Sequence, residues 1–162
     1  MTNSLCIRLT LLASTLAFMA LAGPLRAQGP REHAQIVDQG SGLCLVVRGG
    51  STANGAALVQ WPCSPRDEHQ RWHIRRTGEI VNAFSGMCLG IGGGSTEQGK
   101  AVIQWQCDGS ANQRWHMRGR GEFINENSGR CMGVSGGSTQ NGATVVQWSC
   151  QGAPNQFWSL VP

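Results

Sequence analysis

At 162 residues the chain has room for one ordinary domain, and a catalytic domain carrying a binding appendage is excluded by length. Its 13 Lys and Arg against 9 Asp and Glu give a formal charge of +4. The basic residues are nearly all Arg and are scattered, so no phosphate-tracking stripe forms and nucleic acid is not an expected partner.

Residues 9–22 are without exception apolar or small, Arg8 precedes them, and Gly23-Pro24 ends the run. This predicts a secretory signal peptide over residues 1–27, with cleavage after Ala22 or Ala27. The run is shorter than the roughly 20 apolar residues a spanning helix needs, so no membrane span is expected. Cleavage removes Cys6 and leaves six cysteines. The mature protein is therefore expected in the periplasm or outside the cell.

The remainder is one unit written three times. Gln70-Arg71-Trp72 recurs as Gln113-Arg114-Trp115 and as Gln156-Phe157-Trp158; the first cysteines are Cys44, Cys88 and Cys131, and the second, Cys63, Cys107 and Cys150, each follow at the same interval. Repetition at this period means that each unit cannot bury its own apolar face and needs its neighbours to do so. The units are expected at about 34–80, 81–123 and 124–162. Evenly repeated cysteine pairs in an exported chain read as disulfides. Any pairing between units would break their equivalence, which selects Cys44–Cys63, Cys88–Cys107 and Cys131–Cys150. No C-x-x-C occurs to accompany the one H-x-x-x-H spacing, His69 to His73, so no metal site is expected.

Within each unit short apolar runs alternate with turn chemistry. In the second, residues 87–91 read as a strand, Gly92-Gly93-Gly94-Ser95-Thr96 and Gln98-Gly99 as a turn, and residues 101–106 as the next strand. The first and third place Asn54-Gly55 and Asn141-Gly142 at that turn, a pair suited to positive φ. The strand after Gln-x-Trp and a short run such as Ile80-Val81 or Phe123-Ile124 complete four strands per unit, hence an all-β fold. Propellers typically need four to eight blades, so three copies close around a threefold axis instead.

All six tryptophans fall at two repeated positions. Trp72, Trp115 and Trp158 are read as core; Gln70, Gln113 and Gln156 beside them are read as tying backbone groups across the joint between units. Trp61, Trp105 and Trp148 stand two residues before the second cysteine and share a strand face with it. Across the disulfide, the residues two after the first cysteine, Val46, Gly90 and Gly133, point to the same side. No H-E-x-x-H or phosphate-cradling loop occurs, the one G-x-S-x-G match, Gly133 to Gly137, runs into a hairpin turn with no helix after it, and His73 and His116 hold a repeated position, so no catalysis is expected.

With its three Q-x-W motifs, the C-L-x-x-x-G-G-S-T stretch and the Q-W-x-C stretch, the sequence resembles the ricin B-chain lectin family over about residues 34 to 162. The resemblance implies a β-trefoil and a sugar site in each unit: an Asp two after the first cysteine, a Gln four before the second, an aromatic two before it, and an Asn just before Q-x-W. The aromatic is present throughout, and the Asn is present as Asn112 and Asn155 but is His69 in the first unit. The Asp is replaced by Val46, Gly90 and Gly133, and the Gln by Val59, Ile103 and Val146. The candidate carbohydrate-binding residues are therefore Trp61, Trp105, Asn112, Trp148 and Asn155. The expected protein is a secreted, stand-alone, monomeric lectin without cofactor, holding glycan or polysaccharide at weak multivalent sites. A protein-binding trefoil, as a toxin-targeting subunit or protease inhibitor, is the alternative.

Overall fold

The structure, a computed structural model, describes residues 33–162; the leader and its cleavage points lie outside them. Twelve strands follow one another with only short 3₁₀ turns between them: β1 (Ala34–Asp38), β2 (Cys44–Val47), β3 (Leu58–Trp61), β4 (Arg71–Ile74), β5 (Ile80–Asn82), β6 (Cys88–Ile91), β7 (Val102–Trp105), β8 (Trp115–Arg118), β9 (Glu122–Asn125), β10 (Cys131–Val134), β11 (Val145–Trp148) and β12 (Trp158–Val161). Four strands per unit are as expected. The boundaries expected near 80 and 123 fall inside β5 and β9, the short runs read as completing a unit.

β1 pairs with β12 and β4, β4 with β5, and β8 with β9, all antiparallel. A bridge between Glu79 and Arg114 and a hydrogen bond from Trp158 N to Gly121 O join the three pairs into a ring. The hairpins β2–β3, β6–β7 and β10–β11 cap it, and they touch one another through bridges such as Ala57 to Ile103 and Ala101 to Val146. This is the β-trefoil arrangement.

The core has the same threefold order. Five positions in each unit supply it: Ile36, Leu45, Val47, Leu58 and Trp72 in the first, with Ile80, Leu89, Ile91, Val102 and Trp115, then Phe123, Met132, Val134, Val145 and Trp158, in register. Period-two alternation explains the choice, since these side chains face the axis while their neighbours face out. Each core indole donates its N–H to a backbone carbonyl of its own unit: Trp72 to Leu45 at 3.1 Å, Trp115 to Leu89 at 3.1 Å and Trp158 to Met132 at 3.0 Å. Burying a ring of about 150–250 Å² at about 25 cal/mol per Å² contributes roughly 4–6 kcal/mol as an upper estimate, so these three rings dominate the core.

The disulfides are those the repeat selects, Cys44–Cys63, Cys88–Cys107 and Cys131–Cys150. Polar ties close the circle between units. Gln60, Gln104 and Gln147 have no exposed surface, each facing away from the tryptophan beside it. Gln60 Nε2 donates to Ser138 O and Gln140 O, Gln104 Nε2 to Ser51 O and Ala53 O, and Gln147 Nε2 to Ser95 O and Glu97 O. Every unit thus grips the hairpin turn of another. By contrast Gln70, Gln113 and Gln156 act within their own units, donating to Pro62 O, Gln106 O and Ser149 O in the loop around the second cysteine. The expected tie across the joint is made by the other glutamine set.

Candidate functional site

Trp61, Trp105 and Trp148 end β3, β7 and β11 directly opposite Cys44, Cys88 and Cys131, with Val46, Gly90 and Gly133 opposite Val59, Ile103 and Val146 two pairs further along. Alternation puts each such quartet on one face, as predicted. The rings are 50%, 44% and 41% exposed, whereas the core indoles are at most 2% exposed, so the two tryptophan sets are physically distinct. Each exposed ring leans on a glycine in another unit's hairpin turn. A Cβ built on Gly142, Gly55 or Gly99 would lie 3.6, 3.7 or 3.5 Å from Trp61, Trp105 or Trp148. The rings are held in place before any ligand arrives, which lowers the ordering cost of binding.

Beside each ring opens a cavity between the hairpin, the glycine-rich turn after its first strand, and the 3₁₀ turn before Gln-x-Trp. The three measure about 310, 420 and 430 Å³ in chain order, the small end of the range for ligand sites. Trp105 and Asn112 line the second cavity, and Trp148 and Asn155 the third, so the candidate residues come together there. Asn112 Nδ2 donates to Ile91 O at 3.0 Å and Asn155 Nδ2 to Val134 O at 2.8 Å, which fixes each amide and leaves its second N–H free.

The third cavity adds Gln151 and Ser135. The second adds Asp108 and Ser110, which the sequence reading did not single out because a loop carries no strand register. The hydroxyl and then the backbone N–H of Ser110 hold the Asp108 carboxyl below its ordinary value. The N–H lies 2.9 Å from Asp108 Oδ1, while the hydroxyl's single proton is drawn also to Asn112 Oδ1 at 2.6 Å.

The first cavity differs in chemistry. Val46 and Val59 floor it, Arg48 stands at its rim, and His69 replaces the asparagine. Asp67 Oδ1 accepts from the His69 backbone N–H at 3.0 Å and lies 2.8 Å from its Nδ1, and the imidazole stacks on half-exposed Phe84 at 4.0 Å between centroids. Trp61 therefore faces an apolar wall with few free donors.

Space explains the missing strand carboxylate in the other two units. A Cβ on Gly90 would meet Gln113 Cγ at 3.0 Å and Asn112 O at 3.3 Å; on Gly133 it would meet Gln156 Cγ at 2.9 Å and Asn155 O at 3.1 Å. The 3₁₀ turn lies close against the strand, so a side chain there requires the turn's glutamine to shift.

Among the described residues, the His, Cys, Asp and Glu side chains at metal-ligand spacing are Glu122, Cys131 and Cys150, and the two sulfurs are bonded to each other. Glu126 is held at about 2, chiefly by hydrogen bonds from Arg114, and lies 3.0 Å from His116 Nε2 on the open surface. A carboxylate so held is a poor proton acceptor. Among the described residues no helix is long and apolar enough to cross a membrane.

A family model described as ricin-type beta-trefoil lectin domain matches residues 32–160. Among solved structures, a designed threefold-symmetric protein, ThreeFoil, superimposes with a TM-score of 0.78 at 32% identity over 81% of this chain and 99% of that one. An exo-β-1,3-galactanase from Clostridium thermocellum gives 0.74 at 32% identity, over 81% of this chain but 30% of the enzyme. The C-half of an earthworm R-type lectin, solved with GalNAc, gives 0.69 at 18% identity over 80% and 98%, a likeness of fold. No match is found among curated proteins.

Proposed function

The chain belongs to the ricin-type β-trefoil lectin family, and we propose that it is a secreted, non-enzymatic carbohydrate-binding protein that acts as a monomer without cofactor. The observation that carries this reading is the division of the tryptophans: three are spent on the core, and three stand exposed and braced at the mouths of small cavities. The three exposed indoles recur at one position of the repeat, each beside a cavity, and are not scattered surface residues. Its face suits the C–H side of a sugar ring, while fixed amides meet the hydroxyls. Three disulfides suit the oxidising compartment to which the leader over residues 1–27 would direct the chain.

The second and third cavities are the sugar sites, with Trp105 and Asn112, and Trp148 and Asn155. The first, around Trp61, contributes contact more than hydrogen bonds. Without the strand carboxylate each site is weak, about millimolar or about 4 kcal/mol, and strength comes from several sites engaging one polysaccharide. Retention of the oxidised protein in gels cast with polysaccharides tests this. Trp105→Ala and Trp148→Ala should each reduce retention, and the double variant should reduce it more than proportionally. Equal migration of parent and double variant across a broad polysaccharide panel would remove the proposal.

A further inference from the structure

The three cavities share an aromatic ring but not a polar lining: the first holds Asp67 and the second Asp108, each engaged through Oδ1, and the third holds no carboxylate. Asp108 lies directly after Cys107, on the wall facing the glycine-rich turn, in the same cavity as Trp105 and Asn112. Its Oδ1 accepts the Ser110 N–H at 2.9 Å, which orients the group and leaves Oδ2 open. In the third unit the matching residue is Gln151, whose backbone N–H, like that of Asp108, is bonded to the glutamine of Q-x-W. In the first unit it is Ser64, outside the cavity lining. Asp67 there is already committed to His69 through both the backbone and the ring.

We propose that Asp108 is the specificity-determining group of this protein. It supplies from the loop the carboxylate that β6 cannot carry at Gly90, and it makes the second cavity the site of highest affinity, selective for a neutral ring that presents two neighbouring hydroxyls. The inference rests on the carbohydrate reading above. The chemistry is complementary: hydroxyls of a ring stacked on Trp105 donate to Asp108 and accept from the free N–H of Asn112. Charged acceptors hold hydroxyls about twice as strongly as neutral ones. Gln151, an amide, offers the third cavity a weaker and less selective version. Tight packing at Gly90 disfavours a side chain at the strand position opposite Ile103, whereas the loop position of Asp108 has no such constraint.

The test reads each site separately through the indole N–H signals of the ¹⁵N-labelled, oxidised protein, titrated with a panel of neutral methyl glycosides. In the parent, Trp105 should shift at lower sugar concentration than Trp148. Asp108→Asn keeps an oxygen for the Ser110 N–H, so the turn survives, and unchanged signals from Trp72, Trp115 and Trp158 report an intact core. In that variant the Trp105 midpoint should rise roughly 10- to 100-fold while that of Trp148 stays put. Gln151→Asp should move the Trp148 midpoint downward. Trp105 titrating identically in parent and Asp108→Asn would overturn the assignment of Asp108 while leaving carbohydrate binding standing. Silence of both exposed indoles in the parent, with every glycoside, would instead overturn the carbohydrate reading and this inference with it.

Discussion

Changing Asp38 to Asn should stabilise the protein, and the gain should depend on pH. Asp38 is 1% exposed; its Oδ2 accepts the Ser41 N–H at 2.8 Å, but its Oδ1 has no hydrogen-bond partner. The residues in register are Asn82 and Asn125, whose Nδ2 groups donate to His69 O at 3.0 Å and Asn112 O at 2.9 Å. By repeat equivalence Asp38 stands where a donor toward Asn155 O is wanted, and a carboxylate cannot donate. Burial pushes its carboxyl above the ordinary value, against smaller opposing hydrogen bonds from Ser41 and Gly40. A group raised in the folded state contributes stability that is fully present below its unfolded value, near 3.9, and lost as pH rises through the folded value. The cost is therefore largest at neutral pH and disappears in acid, where the protonated carboxyl donates as the amide would. A buried unsatisfied group costs about 1–3 kcal/mol, and at roughly 4 °C per kcal/mol the gain in Tm is readily measured. Urea and thermal melts of parent and variant at about pH 7.5 and about pH 4 check it. An absent gain at neutral pH, or an equal gain at both, would refute the reasoning.

Trp115→Ala should empty a core position and cost about 3–5 kcal/mol, whereas Trp105→Ala, on a 44% exposed ring, should cost much less; thermal melts in the reverse order would exchange core and surface. Gly133→Ala should destabilise by about 1–3 kcal/mol, since its Cβ would meet Gln156 Cγ at 2.9 Å and Asn155 O at 3.1 Å. Gln104→Ala leaves Ser51 O and Ala53 O without their donor and should cost about 2–4 kcal/mol in denaturant unfolding.

Most of the architecture is legible because repetition multiplies every signal. One Trp-x-Cys spacing says little, whereas three in register fix the disulfides, the strand faces and the split between Trp115-type and Trp105-type positions. The unit boundaries were harder, since a three-residue strand such as β5 reads as the end of one unit as readily as the start of the next until its pairing is seen. Gln60, Gln104 and Gln147 each precede an exposed tryptophan, so alternation turns them inward, but their task is not legible in the sequence. Their partners lie in another unit, and sequence order alone does not show which turn comes near. A glutamine recurring at a position that alternation buries was the signal available, because a buried amide needs partners. Asp108 and Asp38 were invisible for opposite reasons. The first sits in a loop without register, and the second is an ordinary acid on an expected strand, abnormal only against Asn82 and Asn125 in alignment of the three units.

The central claim is that the exposed rings are the ones a polysaccharide covers. Oxidative footprinting of the six tryptophans, by mass spectrometry of the disulfide-intact protein with and without a polysaccharide that retains it, asks this directly. Trp105 and Trp148 should be modified in the free protein and protected in the complex, with Trp61 protected less, while Trp72, Trp115 and Trp158 stay unmodified in both. Retention on polysaccharide with Trp105 and Trp148 oxidised as fast as in the free protein would contradict the account and move the binding surface elsewhere on the trefoil.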